Sequence, residues 1–279
     1  MKYGFVFPKA DIFKAIEFAK LAEEAKWDAF FVWEPTYGFD AWMTLAAIAI
    51  ETKEIRLGTL LSPPSRMRPW KLASEVITLD VLSAGRVTLC VGLGAIDTGF
   101  KELGEIIDRK IRAELMDESL DIMNGLWKWD LNDYEGIHYK IKNLTNCEFF
   151  KRHPPPNLIQ NPRIPIWVVG AWPWDKSIQR TLNYDGLIPT IKTKQGKFEE
   201  ITPRHIREIR TYIENNRSQN TPFDIILEGE TPGNDSMATK SIIKPFADAG
   251  ATWWIESNWV AQDLDQIKTR VKEGPPPLL

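Results

Sequence analysis

Short apolar segments of strand length alternate with amphipathic helical segments along the whole chain of 279 residues. Such repeats are typical of a parallel sheet covered by helices. Eight units, together with the chain length, favour closure of the sheet into a (β/α)₈ TIM barrel, a single α/β domain over 1–279. The predicted strands contain YGFVF, DAFFVW, IRLGTLL, VTLCVG, PIWVVG, DGLIP, FDIILEG and TWWIES.

One segment interrupts the alternation, from about 128 to 164. It contains Gly136, Asn143 and three consecutive prolines at 154–156. We expect an irregular insertion between the fourth helix and the fifth strand, with one hairpin. The alternative architecture is an open doubly wound sheet. A Rossmann dinucleotide site is disfavoured, since no GxGxxG follows the first strand and Asp97 occupies the third glycine position after Gly92 and Gly94.

Composition excludes several classes of function. The formal net charge of −3 offers no basic excess for nucleic acid. No segment approaches the roughly 20 apolar residues of a membrane span, and the N-terminus lacks a signal-peptide core, so we expect a cytoplasmic protein without a membrane partner. Cys90 and Cys147 form no CxxC motif and are expected to be free thiols. The three histidines have no metal-ligand spacing, and no metal site is expected.

The ends of the predicted strands should carry the site, because ligands of α/β barrels bind at the carboxyl ends of the strands. Here those ends are mostly apolar, aromatic and glycine-rich. They suit the stacking of a flat ring better than sugar chemistry by paired acids. A cofactor is therefore expected to supply the chemistry.

Polar groups follow three of the strand ends. Glu34 ends the second strand and can polarise a ring, bind substrate or only pair with an arginine. Arg66 and Arg68 lie on a proline-rich loop and either face an anionic group or are solvated. After the fifth strand, the segment 175–177 opens a helix whose free N–H groups suit a phosphate; an ordinary turn capped by Asp175 is the alternative.

Three blocks of sequence resemble the luciferase-like flavin oxidoreductases, which include FMN-dependent monooxygenases and enzymes of the deazaflavin coenzyme F420. The blocks are Ile55–Gly94, Arg163–Pro173 with the following DGLIPT, and EGETPG with AGATWWIE near the end. The resemblance runs nearly end to end. It implies FMN as the cofactor, with F420 as the alternative, and a non-proline cis peptide at Leu60–Leu61 beneath the ring.

The resemblance also implies which residues bind the cofactor, with backbone contacts favoured at the two tryptophans. Relatives often carry histidines where this chain has Glu34-Pro35 and Arg68, so the catalytic acid or base is not assigned by analogy. Glu34 and Arg68 are the candidates. The implied cofactor-binding residues are Phe7, Leu60, Leu61, Ser62, Gly92, Leu93, Gly94, Gly170, Ala171, Trp172, Trp174 and Asp175.

The leading hypothesis is an oxidoreductase acting on a small organic substrate. Reduced FMN would activate oxygen, with a flavin reductase or an NAD(P)H-linked supplier of reductant as partner, whereas a deazaflavin would exchange a hydride with the substrate. The alternative is a non-catalytic flavin-binding protein of the same fold, suggested by the missing histidines. A barrel aldolase or isomerase is disfavoured because no strand ends in a lysine or paired acids. The resemblance makes a homodimer plausible.

Overall fold

The computed structural model describes residues 1–193, 195–261 and 263–276, without the side chain of Asp175. Every predicted strand is present, and a helix follows each of them. The elements in chain order are β1 (Lys2–Phe7), α1 (Ile12–Glu24), β2 (Ala29–Val32), α2 (Ala41–Glu51), β3 (Arg56–Thr59), α3 (Pro69–Leu82), β4 (Leu89–Val91), α4 (Arg109–Lys128), β5 (Tyr134–Glu135), β6 (Lys140–Ile141), α5 (Glu148–Arg152), β7 (Ile166–Trp172), α6 (Asp175–Thr181), β8 (Gly186–Lys192), β9 (Phe198–Glu199), α7 (Pro203–Asn216), β10 (Asp224–Gly229), α8 (Ser236–Asp248), β11 (Trp253–Glu256) and α9 (Leu264–Glu273).

The long strands form a parallel barrel. Neighbours follow the order β3, β2, β1, β11, β10, β8, β7, β4. Parallel bridges from Leu57 to Val87 and from Ser62 to Val91 join the two ends of this row, and the backbone N–H of Ser62 donates to the carbonyl of Cys90 at 2.9 Å. The prediction of a (β/α)₈ barrel is confirmed.

Two separate apolar clusters surround each strand, because successive side chains point to opposite faces. The outer cluster lies between the strands and the helices. The inner cluster fills the barrel, where the ring centroids of Trp167 and Trp253 lie 5.0 Å apart. Side chains therefore pack the barrel interior, and a ligand is expected to bind at an end of the barrel. The inner cluster consists of Val6, Ala29, Phe31, Leu60, Cys90, Trp167, Ile188, Ile226, Trp253 and Ile255.

The insertion contains the expected hairpin, formed by β5 and β6. Buried Glu118 of α4 accepts hydrogen bonds from the backbone N–H groups of Ile137, His138 and Tyr139, at 2.7 to 3.1 Å. This carboxylate fixes the hairpin to the barrel wall. The short helix α5 follows and was not predicted.

Helix α8 was also not predicted, and it contains a proline, Pro245. It begins at a good N-cap, since the carboxylate of Asp235 accepts from the N–H groups of Met237 and Ala238 at 3.0 and 2.9 Å. Pro245 lies in the last turns of the helix. Among the described residues, no helix is long and apolar enough to cross a membrane.

Candidate functional site

Four apolar positions meet at the carboxyl end of the barrel, which we call the mouth. The peptide Leu60–Leu61 is cis, as the resemblance implied. Leu60 belongs to the inner cluster, and Leu61 and Val169 pack against its upper edge. Gly92 faces them, since a Cβ built on it would lie 2.9 Å from Leu61 Cδ2 and 3.1 Å from Val169 Cγ2. The absence of a side chain at Gly92 lets Leu61 and Val169 pack directly against the backbone of β4.

Glu34 is a buried carboxyl group just after β2, in contact with the residue that follows the cis peptide. Its Oε2 accepts a hydrogen bond from the hydroxyl of Ser62, which directly follows the cis peptide, and the Ser62 hydroxyl lies 2.7 Å from Thr59 Oγ1. Oε1 is buried and has no partner among the described residues. A buried oxygen without a partner is costly, so Oε1 is available to a ligand or a proton.

Burial controls the protonation of Glu34. Desolvation raises its pKa from 4.5 to about 7, against the opposing effects of the Ser62 hydrogen bond and the charge of Arg66. Asp40 and Glu75 raise it further. A carboxyl group with a pKa near neutrality can both accept and release a proton at physiological pH.

Arg66, rather than Arg68, is the arginine that acts on Glu34. The Arg66 Nη2 atom donates to the carbonyls of Pro35 and Thr36 at 3.0 and 3.1 Å, which fixes the backbone just after Glu34. Arg68 is exposed, precedes α3 and lies over the ring of Trp70, 5.8 Å from its centroid. The charge of Arg68 also lowers the pKa of Tyr139 in the hairpin, against the larger raising effect of burial. Arg68 is thus directed toward the insertion.

The long loop after β4 is anchored by Phe100. This ring is buried, and the guanidinium groups of Arg66 and Arg112 lie 5.5 and 5.9 Å from its centroid. Arg112 also donates to the carbonyls of Leu93 and Gly94. Gly94 has a φ of +76°, and a Cβ there would lie 2.8 Å from the Phe100 ring. The loops after β2, β3 and β4 therefore form one packed unit around Glu34.

At the end of β7, Gly170 does not face the mouth, although it was predicted to bind the cofactor. A Cβ on Gly170 would point away from the mouth, toward Leu187 at 2.6 Å and toward Ile178 and Thr181 of α6. The backbone N–H of Ala171 donates to the Ser177 hydroxyl at 2.9 Å. Gly170 therefore serves the packing of α6, and the Ala171 amide already has a protein partner.

Other residues predicted to bind the cofactor also have side chains outside the mouth. The ring of Phe7 is fully buried against Phe18 of α1, with centroids 5.2 Å apart. Trp172 packs on Tyr212 of α7, at 5.4 Å, and Leu93 packs on the outer cluster. Only backbone atoms of these residues can serve a ligand in the mouth.

The remaining residues of that prediction follow β7. Trp174 is largely exposed and is the N-cap residue of α6, where its side chain makes no capping hydrogen bond. The side chain of Asp175 lies outside the described residues. Among the described residues, no group of three metal-ligating side chains is present.

Glu228 and Lys192 were not predicted as site residues. Both continue the alternation of inward-pointing side chains along their strands. Glu228 comes two residues after Ile226 of the inner cluster, and Lys192 comes four residues after Ile188. Both are therefore placed on the inner faces of their strands, β10 and β8. The period-two pattern was the available signal, but strands that are apolar on both faces do not reveal which face is the inner one.

The mouth suits a flat heteroaromatic ring. Leu61 and Val169 provide an apolar surface packed over Gly92, and Glu34, held by Ser62 next to the cis peptide, has an oxygen, Oε1, without a partner among the described residues. An apolar slot with one polar group at its edge is the usual form of a small-molecule site. These residues fit a flavin or deazaflavin ring.

Comparison with known proteins agrees with this geometry. The sequence profile of the family described as luciferase-like monooxygenase matches residues 6–231. The F420-dependent glucose-6-phosphate dehydrogenase of Mycobacterium avium (strain 104) is 27% identical over 262 residues, covering 84% of this chain and 73% of that protein. Several other dehydrogenases of that name match over only 30% to 42% of their own length.

Two further similarities extend the comparison. The oxygenase component of flavin-dependent trigonelline monooxygenase of Acinetobacter baylyi (strain ATCC 33305 / BD413 / ADP1) is 27% identical over 131 residues, 47% of this chain and 34% of that protein. The structure of an F420-dependent secondary alcohol dehydrogenase in complex with an F420-acetone adduct superposes with a TM-score of 0.76, at 16% identity, over 99% of this chain and 98% of that one. At that identity, the superposition shows a shared fold.

Proposed function

The chain belongs to the luciferase-like monooxygenase family, and we propose that it transfers a hydride between coenzyme F420 and a carbon atom of a small organic substrate. The broader class, a flavin- or deazaflavin-dependent oxidoreductase, follows from the family and its relatives. Two sequence relatives that match over most of both chains, from Mycobacterium avium and Amycolatopsis mediterranei, carry F420 in their names, which supports the deazaflavin.

Glu34 is the observation that carries this proposal. When an alcohol is oxidised to a carbonyl compound, a hydride leaves the carbon and a proton leaves the oxygen, and the proton needs an acceptor. Bound F420 would accept the hydride. Glu34 accepts the proton at its unpartnered Oε1, and its pKa of about 7 lets it return that proton to solvent. Ser62 and Arg66 hold Glu34 in place.

The ring would lie against Leu60, Leu61, Ser62 and Gly92. These residues exclude water from one face, because Leu60 and Ser62 are buried and Leu61 caps the inner cluster. Gly94 and the backbone of Leu93 border the same surface through the loop anchored by Phe100. The backbone of 170–174 is the proposed neighbour of the phosphate-bearing tail on the side of β7, where the N–H groups of Ala171 and Trp174 already have protein partners.

FMN is the second candidate cofactor, and the trigonelline monooxygenase relative favours it. With FMN, a separate flavin reductase or another NAD(P)H-linked donor would supply the reduced cofactor. Titration of the purified protein with F420 and with FMN, followed by absorbance and fluorescence, separates the candidates. We expect saturable binding of F420 that is at least tenfold tighter than that of FMN; tighter binding of FMN would replace the F420 proposal, and binding of neither would refute both.

Replacement of Glu34 tests its role apart from cofactor binding. Glu34→Gln keeps the size of the side chain and can still accept from Ser62, but it cannot take up a proton. We expect near wild-type cofactor affinity and a loss of steady-state turnover of at least a hundredfold, while Glu24→Gln on the exposed face of α1 retains full turnover. Full activity of Glu34→Gln would remove Glu34 from the chemistry.

A second copy of this chain is the proposed protein partner. Residues 41–50 of α2 include no charged side chain, and Met43 and Ile50 are 69% and 71% exposed on one face. Val81 and Leu82 at the end of neighbouring α3 are also exposed. An uncharged surface helix favours burial against an identical face. Light scattering should report a dimer, and a monomer for Met43→Glu; a wild-type monomer would contradict the proposal.

A further inference from the structure

Glu228 lies inside the barrel mouth, on a different wall from Glu34. Ile226 belongs to the inner cluster and Leu227 to the outer one, so the alternation of β10 turns Glu228 inward. A Cβ on the next residue, Gly229, would meet the ring of Trp254 on the outer side. The charge of Glu228 also raises the pKa of Cys90, a fully buried residue of the barrel interior.

Among the residues that the structure describes, one side chain holds the Glu228 carboxylate. Trp259, in the loop after β11, donates its indole N–H to Oε2 at 3.1 Å. The other oxygen, Oε1, accepts no hydrogen bond from the described residues, and the Glu228 residue is accessible to solvent. Glu228 is therefore oriented through one oxygen and open to a ligand through the other.

The chemistry of the free oxygen defines its ligand. An ionised carboxylate oxygen only accepts hydrogen bonds, so Oε1 requires a donor, and a hydroxyl group is a donor of this kind. Lys192 of β8, the strand next to β10, has its ammonium 4.3 Å from the ring centroid of Phe198 and therefore contacts β9.

We propose that Glu228 is a substrate-binding residue whose Oε1 accepts a hydrogen bond from a hydroxyl group, and that Trp259 is its positioning residue. Around the eight-stranded ring, β10 lies three positions from β2, the strand that Glu34 follows, so the two carboxyl groups belong to separate parts of the barrel. This inference rests on the proposed function only in naming the bound molecule as the substrate.

The NMR resonance of the Trp259 indole N–H reports on the state of the Glu228 carboxylate, because the two groups are hydrogen-bonded. In protein labelled with ¹⁵N-tryptophan, the Trp259 resonance is identified by its loss in Trp259→Phe. We expect this resonance to shift with pH as Glu228 titrates, and to stay constant in Glu228→Gln. The control Glu230→Gln removes the next carboxylate of the chain, which pairs with Asn258, and should titrate as the wild type does. A resonance that does not titrate in the wild type would overturn the proposed contact.

Cyclohexanol and cyclohexanone then test the ligand, since only the alcohol donates a hydrogen bond. We expect cyclohexanol to shift the Trp259 resonance saturably, with at least tenfold weaker binding to Glu228→Leu and unchanged binding to Glu230→Leu. Equal effects of the two probes, or equal cyclohexanol binding to Glu228→Leu, would overturn the inference.

The titrations are made with and without saturating F420. A response only in the cofactor-bound protein, or in both forms, supports the role of Glu228, and its absence in both refutes it. Failure of F420 to bind at all leaves the cofactor-free titration to decide on Glu228, so the two proposals fail independently.

Discussion

Glu34 combines features that seldom occur together outside functional sites. It is buried at a strand end, one oxygen has no partner in the part of the chain that the structure describes, and desolvation brings its pKa to about 7. Sequence alone showed only a carboxylate between a tryptophan and a proline. The burial and the Ser62 contact depend on how three loops pack together, and no local pattern encodes that.

The raised pKa of Glu34 makes a prediction about stability. The carboxyl group ionises near 4.5 when unfolded and near 7 when folded, so its favourable contribution is complete below pH 4.5 and is lost as the pH rises through 7. Glu34→Gln removes this loss. From pH 4 to pH 8, we expect its free energy of unfolding to rise by about 3 kcal/mol relative to that of the wild type, measured by urea denaturation.

The same profile in Glu24→Gln should run parallel to the wild type. If Glu34→Gln also runs parallel, Glu34 has an ordinary pKa in the folded protein, and its proposed role as a proton acceptor near neutral pH fails.

The two cysteines differ in predicted reactivity. Cys90 is fully buried in the barrel, and burial together with the charge of Glu228 raises the pKa of its thiol. Cys147 is only half-buried, at the start of α5. Since the thiolate is the reactive form, we expect a disulfide reagent to titrate one thiol per folded chain and two in urea. Cys147→Ser should show none in the folded state; rapid reaction of Cys90 there would contradict the solid interior.

At the scale of elements, the loop of 94–108 is held by Phe100 between Arg66 and Arg112. Phe100→Ala should cost about 3 to 5 kcal/mol of stability and raise hydrogen exchange across this loop. Ile96→Ala, at an exposed position in the same loop, should change neither quantity appreciably. Unchanged exchange in Phe100→Ala would show that the loop is fixed by other contacts.

The number of strands and their order were predictable from the sequence. Which side chains of each strand point into the barrel was not. In a sheet that is buried on both faces, the odd and the even positions of a strand are both apolar. The local sequence therefore did not show that Val169 points inward and Gly170 outward. The prediction therefore included Phe7 and Trp172, whose side chains face helices α1 and α7. Trp253 and Trp254 divide between the inner and outer clusters, as expected for adjacent strand residues.

At the scale of the whole molecule, closure of the barrel between β3 and β4 creates the mouth. The bridge from Ser62 to Val91 brings the cis peptide beside Gly92, two segments that are 30 residues apart in sequence. The strand count predicted this closure, and the family resemblance predicted the cis peptide. The arrangement of the two carboxyl groups, Glu34 and Glu228, on separate strands is visible only in the folded barrel.

Binding of the cofactor to Gly92→Val tests most directly whether the mouth holds the ring. The added side chain would collide with Leu61 and Val169 and displace them from the surface proposed to hold the ring. Ser74→Val, on the exposed face of α3, is the control of similar bulk. Both variants are first checked for wild-type circular dichroism. We predict that F420 binds the wild type and Ser74→Val with equal affinity and Gly92→Val at least tenfold more weakly; equal affinity for all three folded proteins would contradict a ring site at the mouth.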